Sequence, residues 1–223
     1  MWPVFLVQGR AARARVPKLP EPPGARQGAT GDGPPLKLLI VGDSAAAGVG
    51  ASHQDKALLG QLVSRLSRYY NVTWRLHAQT GDTTATALAR LDALAAEHFD
   101  IAVTSLGVND VTGMVGLGRW RQQQTQLRGV LREKFSVDKI VVSGLPPMHA
   151  FPALPQPLRW HLGSRATEFD RHLQGDTSAD PRAIFVDIRF TSNSELMSHD
   201  GFHPGPRVYA KWAELIAKAI QCG

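Results

Sequence analysis

Apolar residues fall into two patterns that alternate along the chain from residue 37 onwards. Short apolar runs of a length typical of buried strands are followed by longer segments in which apolar residues recur every three or four positions, as on one face of a helix. The short runs predict strands at residues 38–41, 72–78, 101–106, 139–143 and 183–188.

The helical pattern is clearest after the first predicted strand. A helix is predicted over about residues 56–70, because Leu59, Leu62, Val63 and Leu66 are spaced as i, i+3, i+4 and i+7. Strands that alternate with helices, without hairpin signals between them, predict a parallel sheet covered by helices on both faces. Further helices are predicted over residues 83–98, around Trp120–Leu131, around Leu158–Leu173 and around Val208–Ala219.

The first 36 residues differ from the rest. They contain seven of the fifteen prolines and several glycines, so an extended arm or linker is predicted, with the folded domain at residues 37–223. Two interpretations of this arm stand at this point: a tail lying over the domain surface, or the stub of a membrane anchor. For the anchor, the apolar residues 2–7 precede Arg10, Arg13 and Arg15, which favours a cytoplasmic domain under the positive-inside rule.

Composition excludes several classes of protein. No apolar run in the 223 residues approaches the roughly 18 residues of a membrane span. Cys222 is the only cysteine, so an intramolecular disulfide and a cysteine-based metal site are excluded, which is compatible with the cytoplasm. Half of the formal net charge of +6 lies before Lys37, and no basic stripe is interleaved with aromatic residues. Nucleic-acid binding is therefore disfavoured.

The segment after the first predicted strand offers a candidate nucleophile. The strand ends at Gly42, Asp43 and Ser44 follow at once, and only small residues continue to Gly50. A serine at the carboxyl end of a parallel strand lies at the edge of the sheet where open α/β folds bind ligands. Because a serine hydroxyl is a weak nucleophile, it needs a base within hydrogen-bonding distance. A phosphate-binding loop is disfavoured, since the glycine spacing differs from G-x-G-x-x-G and no lysine follows Gly50.

His203 is the histidine whose neighbours best fit such a base. Asp200 precedes it by three residues, so its carboxylate can accept the Nδ1 proton and leave Nε2 free as an acceptor. Gly201 and Pro204 favour a tight turn, and a plain Asx turn explains the same residues. A metal site built on this cluster with His199 lacks a further ligand at a suitable spacing, so no metal is predicted.

Three predicted strand ends also provide hydrogen-bond donors. Ser44 and Gly81 each offer a backbone N–H, and Asn109 offers a side-chain amide. Because parallel strands end at one edge of a sheet, these donors can converge on an oxyanion. Taken singly, Gly81 and Asn109 are ordinary loop and turn residues; their joint placement supports an oxyanion hole.

Four short blocks carry a family resemblance. GDS at 42–44, the glycine at 81, GVND at 107–110 and DGFH at 200–203 occur in the order and spacing of the SGNH hydrolases, also called GDSL lipases/esterases. The chain resembles this family over about residues 37–220. The resemblance implies a flavodoxin-like three-layer α/β/α sandwich whose five parallel strands have the order 2-1-3-4-5.

The resemblance also implies roles for individual residues. Ser44 is expected to be the nucleophile, His203 the general base and acid, and Asp200 the residue that orients it. The oxyanion hole is expected to consist of the Ser44 and Gly81 N–H groups and the Asn109 amide. Many family members have an asparagine a few residues before the glycine, where this chain has LHAQT, so the subfamily stays open.

A serine esterase acting on small, short-chain acyl or aryl esters, without a cofactor, is the leading interpretation. A carbohydrate O-acetylesterase, a thioesterase or lysophospholipase of the same family, and a non-catalytic ligand-binding domain are the alternatives. Apolar residues near the expected cleft favour a hydrophobic acyl or alcohol group: Val115, Leu117, Met148, Phe151 and Phe202.

Overall fold

The computed structural model describes residues 2–192 and 196–222. The strands are β1 Gln27–Thr30, β2 Pro35–Gly42, β3 Asn71–Ala78, β4 Ile101–Ser105, β5 Lys139–Ser143 and β6 Ala183–Val186. The helices are α1 Trp2–Arg15, α2 Ser44–Ala47, α3 Leu58–Leu66, α4 Thr84–Ala93, α5 Val108–Thr112, α6 Leu117–Glu133, α7 Leu158–Ser178 and α8 Pro206–Cys222. Met1, Gly223 and residues 193–195 of the predicted loop at 189–205 lie outside the described residues.

The described strands form one sheet in the order β1-β3-β2-β4-β5-β6. The strands from β2 to β6 are parallel to one another, so the predicted α/β fold and the predicted order of its five parallel strands are confirmed. The sheet differs from the prediction by one strand, because β1 adds an antiparallel edge next to β3.

Alternate residues of the central strand face two separate cores. On β2, Leu38 and Ile40 face a core that also contains residues of α3 and α8. Leu39 and Val41 face the opposite core, which contains residues of α4, α6 and α7. Burial on both faces explains why the central strands appear in the sequence as continuous apolar runs.

The N-terminal segment is more ordered than the predicted extended arm. Residues 2–15 form α1, whose Phe5 ring stacks on His161 of α7 at 4.6 Å between centroids. The strand β1 has the sequence QGAT, which carries no apolar pattern because it pairs through its backbone at the edge of the sheet. Apolar periodicity does not predict an edge strand of this kind.

Membrane-spanning helices were sought in the residues that the structure describes. Within residues 2–192 and 196–222, no helix combines the length and hydropathy needed to cross a bilayer. The apolar residues at the start of α1 continue directly into its arginine-containing half.

Candidate active site

Three neighbouring strands end at the same level of the sheet. Gly42, the last residue of β2, is in register with Ala78 of β3 on one side and Ser105 of β4 on the other. The backbone N–H of Asp43 donates to the Ser105 carbonyl at 3.2 Å, and that of Gln79 donates to the Gly42 carbonyl at 3.2 Å. The segments that carry Ser44, Gly81 and Asn109 therefore begin side by side.

Ser44 is presented by a sharp turn from strand to helix. A Cβ atom on Gly42 would lie 2.4 Å from Cβ of Ala46 and 2.6 Å from the carbonyl oxygen of Ser105, so only glycine fits there. Asp43 caps the short helix α2 by accepting the Ala45 N–H at 3.0 Å, and Gly48 ends the helix with φ of 95°. This packing fixes the Ser44 hydroxyl at the rim of the sheet.

Asp200 and His203 belong to a tight loop before α8. Both the Phe202 and His203 backbone N–H groups donate to Oδ1 of Asp200, at 2.9 and 3.0 Å. The loop is closed by the Ser198 N–H, which donates to the His203 carbonyl at 2.8 Å. Gly201 has φ of 65°, a left-handed conformation that favours glycine.

The three predicted catalytic side chains form a continuous chain of hydrogen bonds. His203 Nδ1 lies 2.6 Å from Oδ2 of Asp200, and Nε2 lies 3.0 Å from Oγ of Ser44. An ionised carboxylate only accepts hydrogen bonds, so Nδ1 carries the proton and Nε2 is free to accept the Ser44 O–H. The bonded Asp200 carboxylate fixes this tautomer.

The Asp200 carboxyl is ionised at neutral pH. Burial raises the pKa of its carboxyl, but the hydrogen bonds from the His203 side chain and from the backbone N–H groups of His203 and Phe202 outweigh that effect and lower the pKa to about 2. The carboxylate can therefore stabilise an imidazolium on His203 without taking its proton.

The predicted oxyanion donors lie on three neighbouring segments, at the start of α2, in the loop after β3 and in α5. Asn109 uses one amide hydrogen to bond the Asp82 carbonyl at 2.9 Å, which ties it to the loop carrying Gly81 and leaves its second amide hydrogen available. Gly81 adopts φ of 90°. Within the described part of the chain, neither the Gly81 N–H nor the Ser44 N–H donates a hydrogen bond.

A buried polar cluster beneath these donors was not identified from the sequence. Asp110 is fully buried and accepts both the backbone N–H and the hydroxyl of Thr84, at 3.0 and 2.9 Å. Gln124 of α6 donates to the same hydroxyl at 3.0 Å. These bonds hold the Asn109 segment against the start of α4. The one indication of the cluster in the sequence is Asp110 itself, the last residue of the GVND block.

A second buried carboxyl lies directly before the candidate nucleophile. Asp43 is 3% exposed, and its side chain accepts the Ala45 N–H. Burial raises the pKa of Asp43 to about 7, although that hydrogen bond opposes the shift. The neutral form is therefore well populated near pH 7, which limits the negative charge beside Ser44.

A cavity of about 40 Å³ opens beside Ser44 and His203. Phe151 and Phe202 line it, as predicted, with their rings in edge-to-face contact at 5.2 Å. The other three residues predicted to bind substrate, Val115, Leu117 and Met148, do not line this cavity. Met148 is completely buried, and the other two pack against the same core, because their segments fold over the protein interior. The remaining apolar lining, which the sequence did not indicate, includes Ala45, Leu106, Val108, Leu145, Ile188, Met197 and Trp212.

A group of potential metal ligands lies at the amino-terminal ends of the parallel strands, opposite the end that carries Ser44. Within the described residues, His98, Asp100 and Asp138 form a group whose ligand atoms lie within 4.8 Å of one another. His98 and Asp100 precede β4 and Asp138 precedes β5, whereas Ser44 follows the carboxyl end of β2. This group therefore has no place in the chemistry at Ser44.

Comparisons with known proteins place this chain in a family. Residues 40–211 match the model of the GDSL-like lipase/acylhydrolase family. The curated protein GDSL-like esterase Rv1075c of Mycobacterium tuberculosis is 29% identical over 241 residues, a match that covers 97% of this chain and 76% of that protein.

Solved structures show the same fold at low sequence identity. TesA has a TM-score of 0.63 at 24% identity, covering 83% of this chain and 98% of its own. The lipase Lip_vut3 from a goat rumen metagenome has a TM-score of 0.67 at 18% identity, covering 82% of this chain and 97% of its own. At these identities the two structures support the fold alone.

Proposed function

Because this chain belongs to the GDSL-like lipase/acylhydrolase family, we propose that it is a serine esterase that hydrolyses small carboxylic esters through an acyl-enzyme. The observation that carries this proposal is the 3.0 Å contact between Ser44 Oγ and Nε2 of His203, with Asp200 bonded to the opposite ring nitrogen. This arrangement supplies the nucleophile, its base and the group that orients the base.

Acylation begins when Ser44 Oγ attacks the ester carbonyl carbon. His203 Nε2 accepts the hydroxyl proton as the new C–O bond forms, and the ionised Asp200 stabilises the resulting imidazolium. The negative charge that develops on the former carbonyl oxygen is stabilised by the Ser44 and Gly81 N–H groups and the Asn109 amide. The imidazolium then protonates the leaving alkoxide, and the alcohol departs.

Deacylation repeats the same steps with water as the nucleophile. His203 takes a proton from the water molecule that attacks the acyl-enzyme, and it returns that proton to Ser44 Oγ as the carboxylic acid is released. The described residues supply every proton acceptor and donor that this sequence of steps requires.

The size and lining of the cavity favour a short acyl group. The cavity beside Ser44 and His203 has a volume of only about 40 Å³. The walls are mainly apolar and include Leu106, Phe151 and Phe202. A short hydrocarbon chain gains binding free energy from burial in this cavity, whereas a long chain must extend out of it.

A panel of p-nitrophenyl esters tests this proposal. We expect kcat/KM to be highest for acetate or butyrate and at least about tenfold lower for dodecanoate, because groups beyond the cavity find no complementary surface. Equal rates across the panel, or a preference for dodecanoate, would contradict the short-chain specificity. Absence of hydrolysis of every ester would contradict the proposed esterase activity itself.

Asn109→Ala is expected to lower kcat by about 10²–10³ with little change in KM, as expected for one lost oxyanion donor. The contact strengthens only as charge develops on the oxygen, so substrate binding in the ground state is spared. Steady-state kinetics on acetate ester measure the effect, with Asn71→Ala at the exposed start of β3 as the matched control. A raised KM at constant kcat would instead assign Asn109 to substrate binding.

A further inference from the structure

The proline-rich N-terminal segment contacts the candidate oxyanion loop through one carboxylate. Glu21 Oε1 accepts the backbone N–H of Thr80 at 2.7 Å and the Thr80 hydroxyl at 2.8 Å. Thr80 directly precedes Gly81 in the chain. The carboxylate therefore holds the peptide adjacent to a proposed oxyanion donor.

Arg26 completes this contact from the same segment. Its Nη1 donates to Oε2 of Glu21 at 2.8 Å, and its Nη2 donates to the carbonyl of Ala78, the last residue of β3. The pKa of Glu21 is affected most by burial, which raises it, but the hydrogen bonds from Thr80 and the Arg26 charge outweigh burial and lower it. The Glu21 carboxylate is thus ionised at neutral pH and bonded through both oxygens.

The backbone of the segment is anchored at two points downstream of Glu21. The Pro23 carbonyl accepts the N–H of the buried Gln54 at 2.9 Å, and the Gln54 side chain donates to the Ala47 carbonyl at 2.9 Å. Arg26 continues into β1, and its carbonyl accepts the Leu76 N–H at 2.8 Å. The position of Glu21 is therefore fixed by its neighbours and by its own ion pair.

The Gly81 loop is held at its two ends. Gly81 itself is exposed, and among the described residues no atom beyond its chain neighbours lies within 4 Å of the position that a Cβ would occupy. On one side the loop is held through Asp82, which accepts from Asn109 at its carbonyl and from Arg90 at its carboxylate. On the other side it is held by Glu21 and by the backbone bond from the Gln79 N–H to the end of β2.

We propose that Glu21 is a positioning residue that holds the 79–82 loop so that the Gly81 N–H points at the developing oxyanion. The proposal rests on the proposed function in one respect, the assignment of Gly81 as an oxyanion donor. A donor is effective only when it is fixed before the reaction, because reorienting it during the reaction costs part of the stabilisation. The N-terminal segment is then a part of the active site and not an accessory tail.

Glu21→Ala is expected to lower kcat on p-nitrophenyl acetate about tenfold, less than the loss of a donor outright, with KM within about twofold. Glu21→Gln retains an oxygen that accepts the Thr80 N–H, so it should recover much of that loss. Asp32→Ala is the matched control, because Asp32 is the other acidic residue of the first 36 and is exposed in the turn between β1 and β2. It should match the wild type. Wild-type kcat in Glu21→Ala would overturn the proposal.

Amide hydrogen exchange provides a readout that does not depend on activity. Peptides that cover residues 79–82 should exchange faster in Glu21→Ala than in the wild type or in Asp32→Ala, while peptides from α8 exchange equally in all three. Unchanged exchange at residues 79–82 in Glu21→Ala would overturn the positioning role of Glu21. If Glu21→Ala speeds exchange at residues 79–82 but the wild type hydrolyses no ester, the positioning role of Glu21 is upheld and the proposed esterase function is rejected.

Discussion

Ser44→Ala is expected to lower kcat by roughly 10⁴–10⁶ while leaving the fold intact, because no acyl-enzyme can form without the hydroxyl. Ser44 opens α2 on a turn whose geometry is set by Gly42, Asp43 and Gly48. Its hydroxyl makes a hydrogen bond with His203, and the cap of α2 is provided by Asp43. Loss of that hydroxyl therefore removes the reaction without removing a structural support.

The measurement is kcat on p-nitrophenyl acetate, alongside the thermal unfolding midpoint. Ser64→Ala, at an exposed serine of α3, is the matched control and should retain wild-type activity. A Ser44→Ala protein that keeps more than a tenth of wild-type activity, with contaminating esterase excluded by repurification, would refute the assignment of Ser44 as nucleophile.

His203→Ala is expected to reduce kcat by a similar factor, roughly 10⁴–10⁶, because Ser44 loses its base and the leaving alcohol loses its acid. Asp200→Ala should cost less, since an imidazole without its partner can still accept a proton. Asp200→Asn keeps the shape of the side chain but can favour the wrong tautomer, so it should be at least as damaging as the alanine.

The pH dependence of kcat/KM tests which group is the base. A general base must be neutral to accept a proton, so kcat/KM should fall at acid pH in the wild type. Asp200, with a pKa of about 2, is protonated only in strong acid and does not contribute this acidic limb. His199, exposed in the same loop, supplies the control: His199→Ala should keep both the activity and the acidic limb. Loss of both in His199→Ala would show that the base is misassigned.

The same Asp200 shift predicts the acid stability of the protein. Because its folded pKa lies below the ordinary value of 3.8, its ionised form stabilises the folded state above about pH 4. That contribution is lost as pH falls from about 4 to about 2. Asp43 acts in the opposite sense, since its raised pKa makes the folded state lose stability as pH rises from about 4 towards 7.

The parallel sheet could be predicted because its signal is local. Apolar runs such as 38–41 and 139–143 are buried on both faces, so burial and sequence pattern coincide. The candidate site is predicted by the same logic, because Ser44, Gly81 and Asn109 each lie three residues after the end of a predicted strand. Their hydrogen bonds, such as that from Asn109 to the Asp82 carbonyl, depend on loop conformations that no periodicity encodes.

The N-terminal segment shows where sequence patterns lose information. Strand β1 is held by backbone pairing, and Glu21 acts on Thr80 from 59 positions away along the chain. Neither feature produces an apolar repeat, and proline-rich composition is shared by linkers and by segments packed in an extended form. The cavity lining was hard to predict for a related reason, because an apolar loop residue such as Met148 can equally be buried in the core.

Covalent labelling with a serine-directed p-nitrophenyl phosphonate shows directly which oxygen of the protein is activated as a nucleophile. We expect a single adduct, mapped by mass spectrometry to the peptide that contains Ser44, with stoichiometric loss of esterase activity. Labelling should be abolished in Ser44→Ala and strongly slowed in His203→Ala, in which the base is missing. An adduct on a different residue of the active wild-type protein would contradict the assignment of Ser44 as its nucleophile.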